Sequence, residues 1–330
     1  MLGYVVRRLL GAIAVMLAMS AVVYVLFYLM PANPAQLVCG PKTCTADRLA
    51  MVEHSLGLDE PLYVQYWHFL SGLVVGRDFS SGPSVLHCPA PCLGYSFQYT
   101  EPVLDKILEA LPVSLSIVIG AALLWLTFGI GAGVLSALRR GRWLDHAVNV
   151  VVLGGFAVPA FITSLLLLMV FCVYLQWLPF PSYVPFDEDP LGWAQNLVLP
   201  WIVLALVQLP PYVRLSRSGV LETLTEDHIR TARAYGLTER RVIGRHALRG
   251  ALSPLITVAA ADIAAVLTAS MLTETAFGLP GLGRLMVQSV NQIDLPMVVG
   301  MTLLIGFVIV LCNAIADVLY AVVDRRVRVA

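Results

Sequence analysis

Residues with the chemistry of a docking surface are concentrated in one stretch, Thr225-Glu-Asp-His-Ile-Arg-Thr-Ala-Arg-Ala-Tyr-Gly236. Thr225 is placed to cap a helix, and Glu226 and Asp227 complement its positive end. Glu226 and Arg230 are spaced i, i+4 for an ion pair. Ala232 and Ala234 keep the helix slim, and Gly236 can end it in the left-handed conformation. A second short helix is expected from Thr238. An amphipathic, arginine-bearing element of this kind suits a groove on a soluble partner; its charge alone also fits an ordinary basic loop.

Carboxylates form the next group. Asp262, Glu274 and Asp317 lie in or near apolar runs, where ionisable groups are costly and often functional. Asp262 follows a run of alanines that suits close helix packing or the wall of a wet cavity. A hydrogen-bonded structural role and contact with a transported solute are both open for it. Glu274 and Asp317 sit at run ends, where interfacial solvation is the simpler expectation. Gly278, Pro280, Gly281 and Gly283 read as a tight turn. The chain has no Gly-x-x-x-x-Gly-Lys-Ser/Thr phosphate loop, no His-Glu-x-x-His pair and no Gly-x-Ser-x-Gly elbow. No catalytic residue and no metal ligand is therefore assigned.

The elements that position these residues are membrane helices. Of the 330 residues 58% are hydrophobic and only 13% charged, and the mean hydropathy is +0.81; a soluble domain is nearer half apolar and a quarter charged. A bilayer core takes about 20 apolar residues per helix, and about six such runs occur, near 5–30, 111–138, 147–177, 197–215, 252–275 and 297–323. The third exceeds one span and is expected to tilt or bend at Pro159. Pro210-Pro211 interrupts the fourth, since two prolines remove backbone donors and kink a helix. The first run is too long for a secretory leader and lacks a small-x-small cleavage site, so it reads as a true first helix.

Of the 21 basic residues, all but Lys42, Arg48, Arg77, Lys106 and Arg284 fall on one side of this arrangement. The positive-inside rule makes that side cytoplasmic, with both termini and the 139–146 and 216–250 loops. The formal net charge is zero and by itself says nothing about a nucleic-acid partner; for a membrane subunit none is expected. The chain divides into a first transmembrane helix over 1–30, an extracytoplasmic loop or cap over 31–110, and a five-helix core over 111–330. The cap carries helical spacing through residues 45–73 with breaks at Gly57 and Pro61. It also holds Cys39, Cys44, Cys88 and Cys92. An oxidising exterior permits disulfides, in any of three connectivities. Metal binding, with His54, His68 and His87 nearby, is the rival. Cys172 and Cys312 lie in spans as packing residues.

Asp227-His-Ile-Arg-Thr-Ala-Arg-Ala-Tyr-Gly236, followed by Leu237-Thr-Glu-Arg-Arg241 and His246-Ala-Leu248, resembles the coupling-helix motif of ABC importer permeases, and more narrowly that of the dipeptide/oligopeptide permease family. Tyr235 replaces the lysine usual before the glycine, and His228 a usual tyrosine. Leu56-Gly-Leu-Asp-Glu-Pro-Leu-Tyr-Val-Gln-Tyr66 is similar to the external segment of the first of the two permease subunits. Glu274-Thr-Ala-Phe-Gly-Leu-Pro-Gly-Leu-Gly-Arg284 resembles the segment after the fifth span, and 317–328 the ending. Pro31-Ala-Asn-Pro34 departs from the more usual Pro-Gly-Asp-Pro, and the cysteine-bearing insert around 81–99 lies outside the common pattern.

The resemblance implies an all-α integral membrane protein with about six spans, a large extracytoplasmic loop and a cytoplasmic coupling helix within 222–250. It implies that Asp227, His228, Ile229, Arg230, Ala232, Arg233, Ala234 and Gly236 meet a cytoplasmic ATPase. ATP and Mg would be bound by two such ATPase subunits, and none by this chain. A homologous second permease subunit and an extracytoplasmic peptide-binding protein complete the expected assembly in the lipid of a bacterial plasma membrane. Asp262 and Glu274 are then candidates for the pathway, and Gly278, Pro280, Gly281 and Gly283 for a gate or binding-protein contact. A self-sufficient carrier or channel is the alternative, and would need its own coupling-ion site.

Overall fold

In the computed structural model, residues 2–28, 50, 53, 59–81, 84–96, 98–156 and 158–323 are described. Cys39, Cys44 and the side chain of Asp317 fall outside them. The elements run in order as α1 (Leu2–Tyr28), α2 (Leu62–Val75), β1 (Arg77–Ser81), β2 (Ser84–Cys88), β3 (Tyr95–Ser96), β4 (Glu101–Pro102) and α3 (Val103–Leu138). Next come α4 (Trp143–Phe156), α5 (Ala160–Leu167, continued as a π-helical turn to Tyr174), α6 (Pro190–Thr223) and α7 (Asp227–Ala234). Last are α8 (Glu239–Arg241, continued as a π-helical turn to Ala247), α9 (Leu248–Phe277), α10 (Leu282–Asn291) and α11 (Leu295–Val323).

Among the described residues, four helical stretches are long and apolar enough to cross a membrane: Val103–Leu138, Pro190–Thr223, Val258–Phe277 and Leu295–Ile315. Two shorter apolar helices, Leu10–Leu26 and Ala160–Tyr174, occupy the other two expected runs. Three details differ from the sequence expectation. The helix of the second run starts at Val103 instead of 111, because Asp105, Lys106 and Glu109 form polar turns that extend it beyond the apolar stretch. The third run is two helices, α4 and α5, separated at Pro159, which precedes α5 in an extended conformation. Pro210-Pro211 does not break the fourth, since α6 runs on through Pro200, Pro210 and Pro211. Packed membrane helices tolerate such interior prolines.

The described chain forms two compact units, one of 1–112 and 284–310, the other of 113–283 and 311–330. In the first, α2 buries a polar side chain. Its Gln65 is buried, accepts the Tyr24 hydroxyl (3.2 Å) and donates to the Glu60 carbonyl (2.8 Å), while Tyr63 and Trp67 stay exposed. Two small antiparallel ladders add to the expected all-helical architecture. β1 and β2 pair Arg77 with Cys88 and Asp78 with His87, and β3 pairs with β4. Cys88 is disulfide-bonded to Cys92, and both pack with Phe79 and Tyr95 in a small core of their own. Asp294 caps α11 by accepting the Met297 N–H (3.3 Å), and its other carboxylate oxygen accepts the Ser96 hydroxyl.

The second unit packs α3, α4, α6 and α9. One polar clasp fixes its arginine-rich end: Asp145, at the start of α4, accepts Arg217 of α6 (2.9 Å), the Ser136 hydroxyl of α3 and the Gly141 N–H (3.0 Å). The Arg217 guanidinium, with Ser136 and Gly141 behind it, holds the Asp145 carboxyl well below the usual carboxylate range. A depressed pKa stabilises the fold at every pH above the ordinary carboxylate value, and that stabilisation is lost only as pH falls through the lowered one.

Candidate functional site

The docking element is built from its buried side outward. α7 buries Ile229 (0% exposed) and Ala232 against Val242 and Ala247, with Leu224 and Leu237 packed around them. Apolar residues three apart on an eight-residue helix make one narrow seam, so every other α7 side chain faces away from it. His228, Arg230, Thr231, Arg233 and Ala234 are exposed, as are Glu226 and Asp227 at the start. Gly236, at φ +76°, turns the chain in the left-handed region where a side chain would be strained. Tyr235, immediately before it, projects with 83% of its surface open. From Thr238 the short α8 begins, and its π-helical turn delivers the chain into α9. α8 therefore runs into α9 as continuous helical backbone from 239, and the 235–238 turn links α7 to it.

Two local expectations are corrected here. Glu226, not Thr225, occupies the N-cap position, in extended conformation and without a side-chain cap; the Thr225 hydroxyl donates back to the Glu222 carbonyl at 2.7 Å. From the N-cap, Glu226 turns its side chain to His228 and not to Arg230, although its carbonyl accepts the Arg230 N–H at 3.3 Å. Arg230 faces Asp227 at 3.5 Å, Glu226 faces His228 at 2.9 Å, and Arg233 pairs with Glu239 of α8 at 2.8 Å. Such exposed pairs add at most about 1 kcal/mol each, leaving the arginines available to a partner.

The membrane carboxylates lie on α9 in different settings. Asp262 is half-buried and accepts the Tyr212 hydroxyl of α6 at 2.8 Å. Tyr212 is itself buried, with its ring beside Trp125 of α3. Flanking Asp262, an exposed stripe of Val258, Ala261, Ala265, Thr268 and Leu272 runs along α9 at alternating three- and four-residue spacing. Glu274, expected at a solvated span end, is instead wholly enclosed. Its Oε1 accepts the hydroxyls of Ser114 (2.7 Å) and Ser270 (2.8 Å), and its Oε2 accepts the Gly283 N–H (2.7 Å). Ser114 also accepts the Leu282 N–H at 2.8 Å. Glu274 thereby pins the 278–283 turn to α3 and α9. Gly278 caps α9 in the left-handed conformation, Pro280 is exposed, and Gly281 and Gly283 are buried. A Cβ on Gly281 would collide with the Glu274 carboxylate and lie 2.7 Å from Ser114 Oγ; one on Gly283 would strike the Met271 backbone.

Sequence reasoning missed Tyr212, Ser114, Ser270 and the Arg217–Asp145 pair. The last had a usable signal, since positive-inside topology already put 139–146 and 216–250 on one side. The others depend on helix packing and left no local trace.

Comparison with known proteins agrees with this architecture. Residues 129–329 match the family of the binding-protein-dependent transport system inner membrane component, and residues 1–118 match the N-terminal family of the same membrane component. A protein of Brucella abortus named as a peptide transport system permease is 37% identical over 328 residues, 99% of either chain. The glutathione transport system permease GsiC of Escherichia coli K12 is 35% identical over 328 residues, again 99% of either chain. Among solved structures, a chain of the MetNI methionine ABC transporter in an inward facing crystal form shares the fold, with a TM-score of 0.54 at 19% identity over 68% of this chain and 98% of that one. With both families matched along its length, apolar helices in the expected places and relatives aligned end to end, this chain belongs to the inner membrane components of binding-protein-dependent transport systems.

Proposed function

We propose that the chain is one permease half of an ATP-driven importer of peptides. The relatives named for peptide and glutathione transport support that substrate class, glutathione being itself a short peptide. ATP hydrolysis falls to two separate cytoplasmic ATPase subunits, since the sequence has no phosphate loop. A homologous second permease subunit, an extracytoplasmic peptide-binding protein and membrane lipid complete the assembly, with both termini of this chain cytoplasmic.

One observation carries the reading: α7 leaves its arginine-bearing face unburied while Ile229 and Ala232 seat it on Val242 and Ala247, in the helical turn that enters α9. Closure of the ATPases would push this lever and tilt α9. Arg230→Glu combined with Arg233→Glu reverses the charge of the exposed face and leaves the seam untouched. We expect normal membrane insertion with loss of peptide uptake and of peptide-stimulated ATPase activity. Retention of both activities would refute the docking role. A self-sufficient carrier would transport when reconstituted alone in liposomes, and we expect no uptake there.

Asp262 is the carboxylate we assign to the pathway, because it is half-open beside the exposed stripe of α9, whereas Glu274 is enclosed. A lipid-facing carboxylate is costly, which favours a wet surface there. Asp262→Asn keeps a partner for Tyr212 but removes the charge. Uptake is expected to fall several-fold with assembly intact; unchanged uptake would leave Asp262 a packing residue. The enclosed Glu274 supports a different role, holding the 278–283 turn as a gate or binding-protein contact.

A further inference from the structure

Arg139, Arg140 and Arg142 crowd the turn between α3 and α4, and all three are exposed. Trp143, next in the chain, leaves 74% of its surface open. Among the described residues, no carboxylate lies within ion-pair distance of these three guanidiniums; Asp145, the adjacent acid, is engaged by Arg217. The backbone beneath them is fixed. The Arg142 N–H donates to the Arg139 carbonyl, the Asp145 N–H to the Arg142 carbonyl, and the Gly141 N–H to the clasped Asp145 carboxylate, each at 3.0 Å.

What leads into the turn identifies its surroundings. The side of α3 that leads into the turn carries Phe128, Leu135 and Leu138, between 41% and 61% exposed, and the arginines begin where that apolar surface stops. An apolar face on a helix long enough to cross a bilayer faces hydrocarbon, so the turn lies at headgroup depth. Charge bias across the membrane accounts for arginine on this side but requires no indole. A tryptophan at this depth places its ring at the glycerol level with its N–H toward lipid oxygens. Guanidinium forks match phosphate oxygens in geometry and charge.

We propose that the α3–α4 turn binds the headgroup of an anionic phospholipid, with Arg139, Arg140 and Arg142 on the phosphate and Trp143 at the glycerol backbone. The positive charge, unpaired among the described residues, and the apolar side chains of α3 that lead to it favour lipid over a protein partner, and the clasp at Asp145 prepares the turn for the headgroup in advance.

Native mass spectrometry of the full-length chain in its complex, titrated with phosphatidylglycerol or phosphatidylcholine, tests this. Wild type should retain phosphatidylglycerol preferentially. At about five-fold per arginine near a membrane surface, the Arg139→Gln, Arg140→Gln, Arg142→Gln variant should bind it roughly 100-fold more weakly. The triple lysine variant should keep most of the affinity, and Trp143→Ala should lose part of it. Millimolar inorganic phosphate should displace nothing. Equal retention of the two lipids, unchanged binding in the glutamine variant, or displacement by inorganic phosphate would each overturn the proposal. So would loss of ATPase subunits from the glutamine variant with lipid binding unchanged, which would make the turn a protein contact. Should that variant fail to insert, Arg140→Gln and Trp143→Ala carry the same comparison, and unchanged phosphatidylglycerol retention in both overturns the proposal equally.

Discussion

Replacing Glu274 with alanine is expected to destabilise the chain by about 3–5 kcal/mol, because it takes the acceptor from two buried donors, the Ser114 hydroxyl and the Gly283 N–H, at about 1–3 kcal/mol each. The Ser114 and Ser270 hydroxyls and the Gly283 N–H all converge on this wholly enclosed carboxylate, and only the Ser270 hydroxyl has a second acceptor among the described residues, the Leu267 carbonyl at 2.9 Å. The cavity left by the side chain adds to the cost. Glu274→Gln is the informative companion. It keeps the volume but sets an amide NH2 against at least one N–H or O–H donor, so the loss should be intermediate. Gly281→Ala should behave like the carboxylate deletion, since the new methyl competes for the same space. A double-mutant cycle of Glu274→Ala with Ser114→Ala should show a coupling of about 0.5–3 kcal/mol, as for groups in one hydrogen-bonded network. The readout is the thermal midpoint of the purified complex together with peptide uptake. An alanine variant with an unchanged midpoint and full uptake would mean that the turn is not held by Glu274.

The contrast between Glu274 and the α7 segment shows which features a sequence can reveal. Gly236 was legible because a left-handed turn is a local requirement, readable from one residue and its neighbours. The start of α7 was not. Thr225 and Glu226 are both acceptable near a helix end, and the choice between them depends on how 223–226 leaves α6, where the Glu226 N–H donates to the Thr223 carbonyl at 3.1 Å. Once the start moved by one residue, the expected Glu226–Arg230 pair dissolved and Asp227 took the place of Glu226. The apolar runs were legible because bilayer thickness imposes their length. Pro210 and Pro211 misled because the rule against interior proline assumes that an unmade hydrogen bond goes uncompensated, whereas packed membrane helices can offer alternatives. Glu274 and Ser114 stand 160 positions apart, and nothing in either neighbourhood names the other. The same holds for Tyr212 and Asp262. The short ladders in the cap were beyond reach as well, since a hairpin of five-residue strands gains its stability from the small core around Cys88 and Cys92 more than from any strand pattern.

Ile229→Asp is expected to have the other large effect, and on coupling more than on the membrane core. Ile229 is fully buried in a seam formed by Ala232, Val242, Ala247, Leu224 and Leu237, none of which can pair with a carboxylate. Burying an unpaired charge there costs several kcal/mol, more than an eight-residue helix gains from its own hydrogen bonds, so α7 should detach while α9 and the other spans remain folded. Uptake should fall to background. Trypsin should cut at Arg230, Arg233, Arg240 and Arg241 far faster than in wild type, because an unseated α7–α8 segment exposes its backbone. Ile229→Val, by comparison, removes one buried methylene and should cost about 0.5–1.5 kcal/mol with transport retained. The Arg230→Glu, Arg233→Glu variant supplies the complementary case, with the lever seated but its face reversed, and should resist trypsin at Arg240 and Arg241 as wild type does. Loss of transport in both variants, with protease sensitivity in only one, would separate the seating of the lever from its contact with the ATPase. Wild-type resistance and uptake in Ile229→Asp would mean that motion reaches α9 by a route other than this seam.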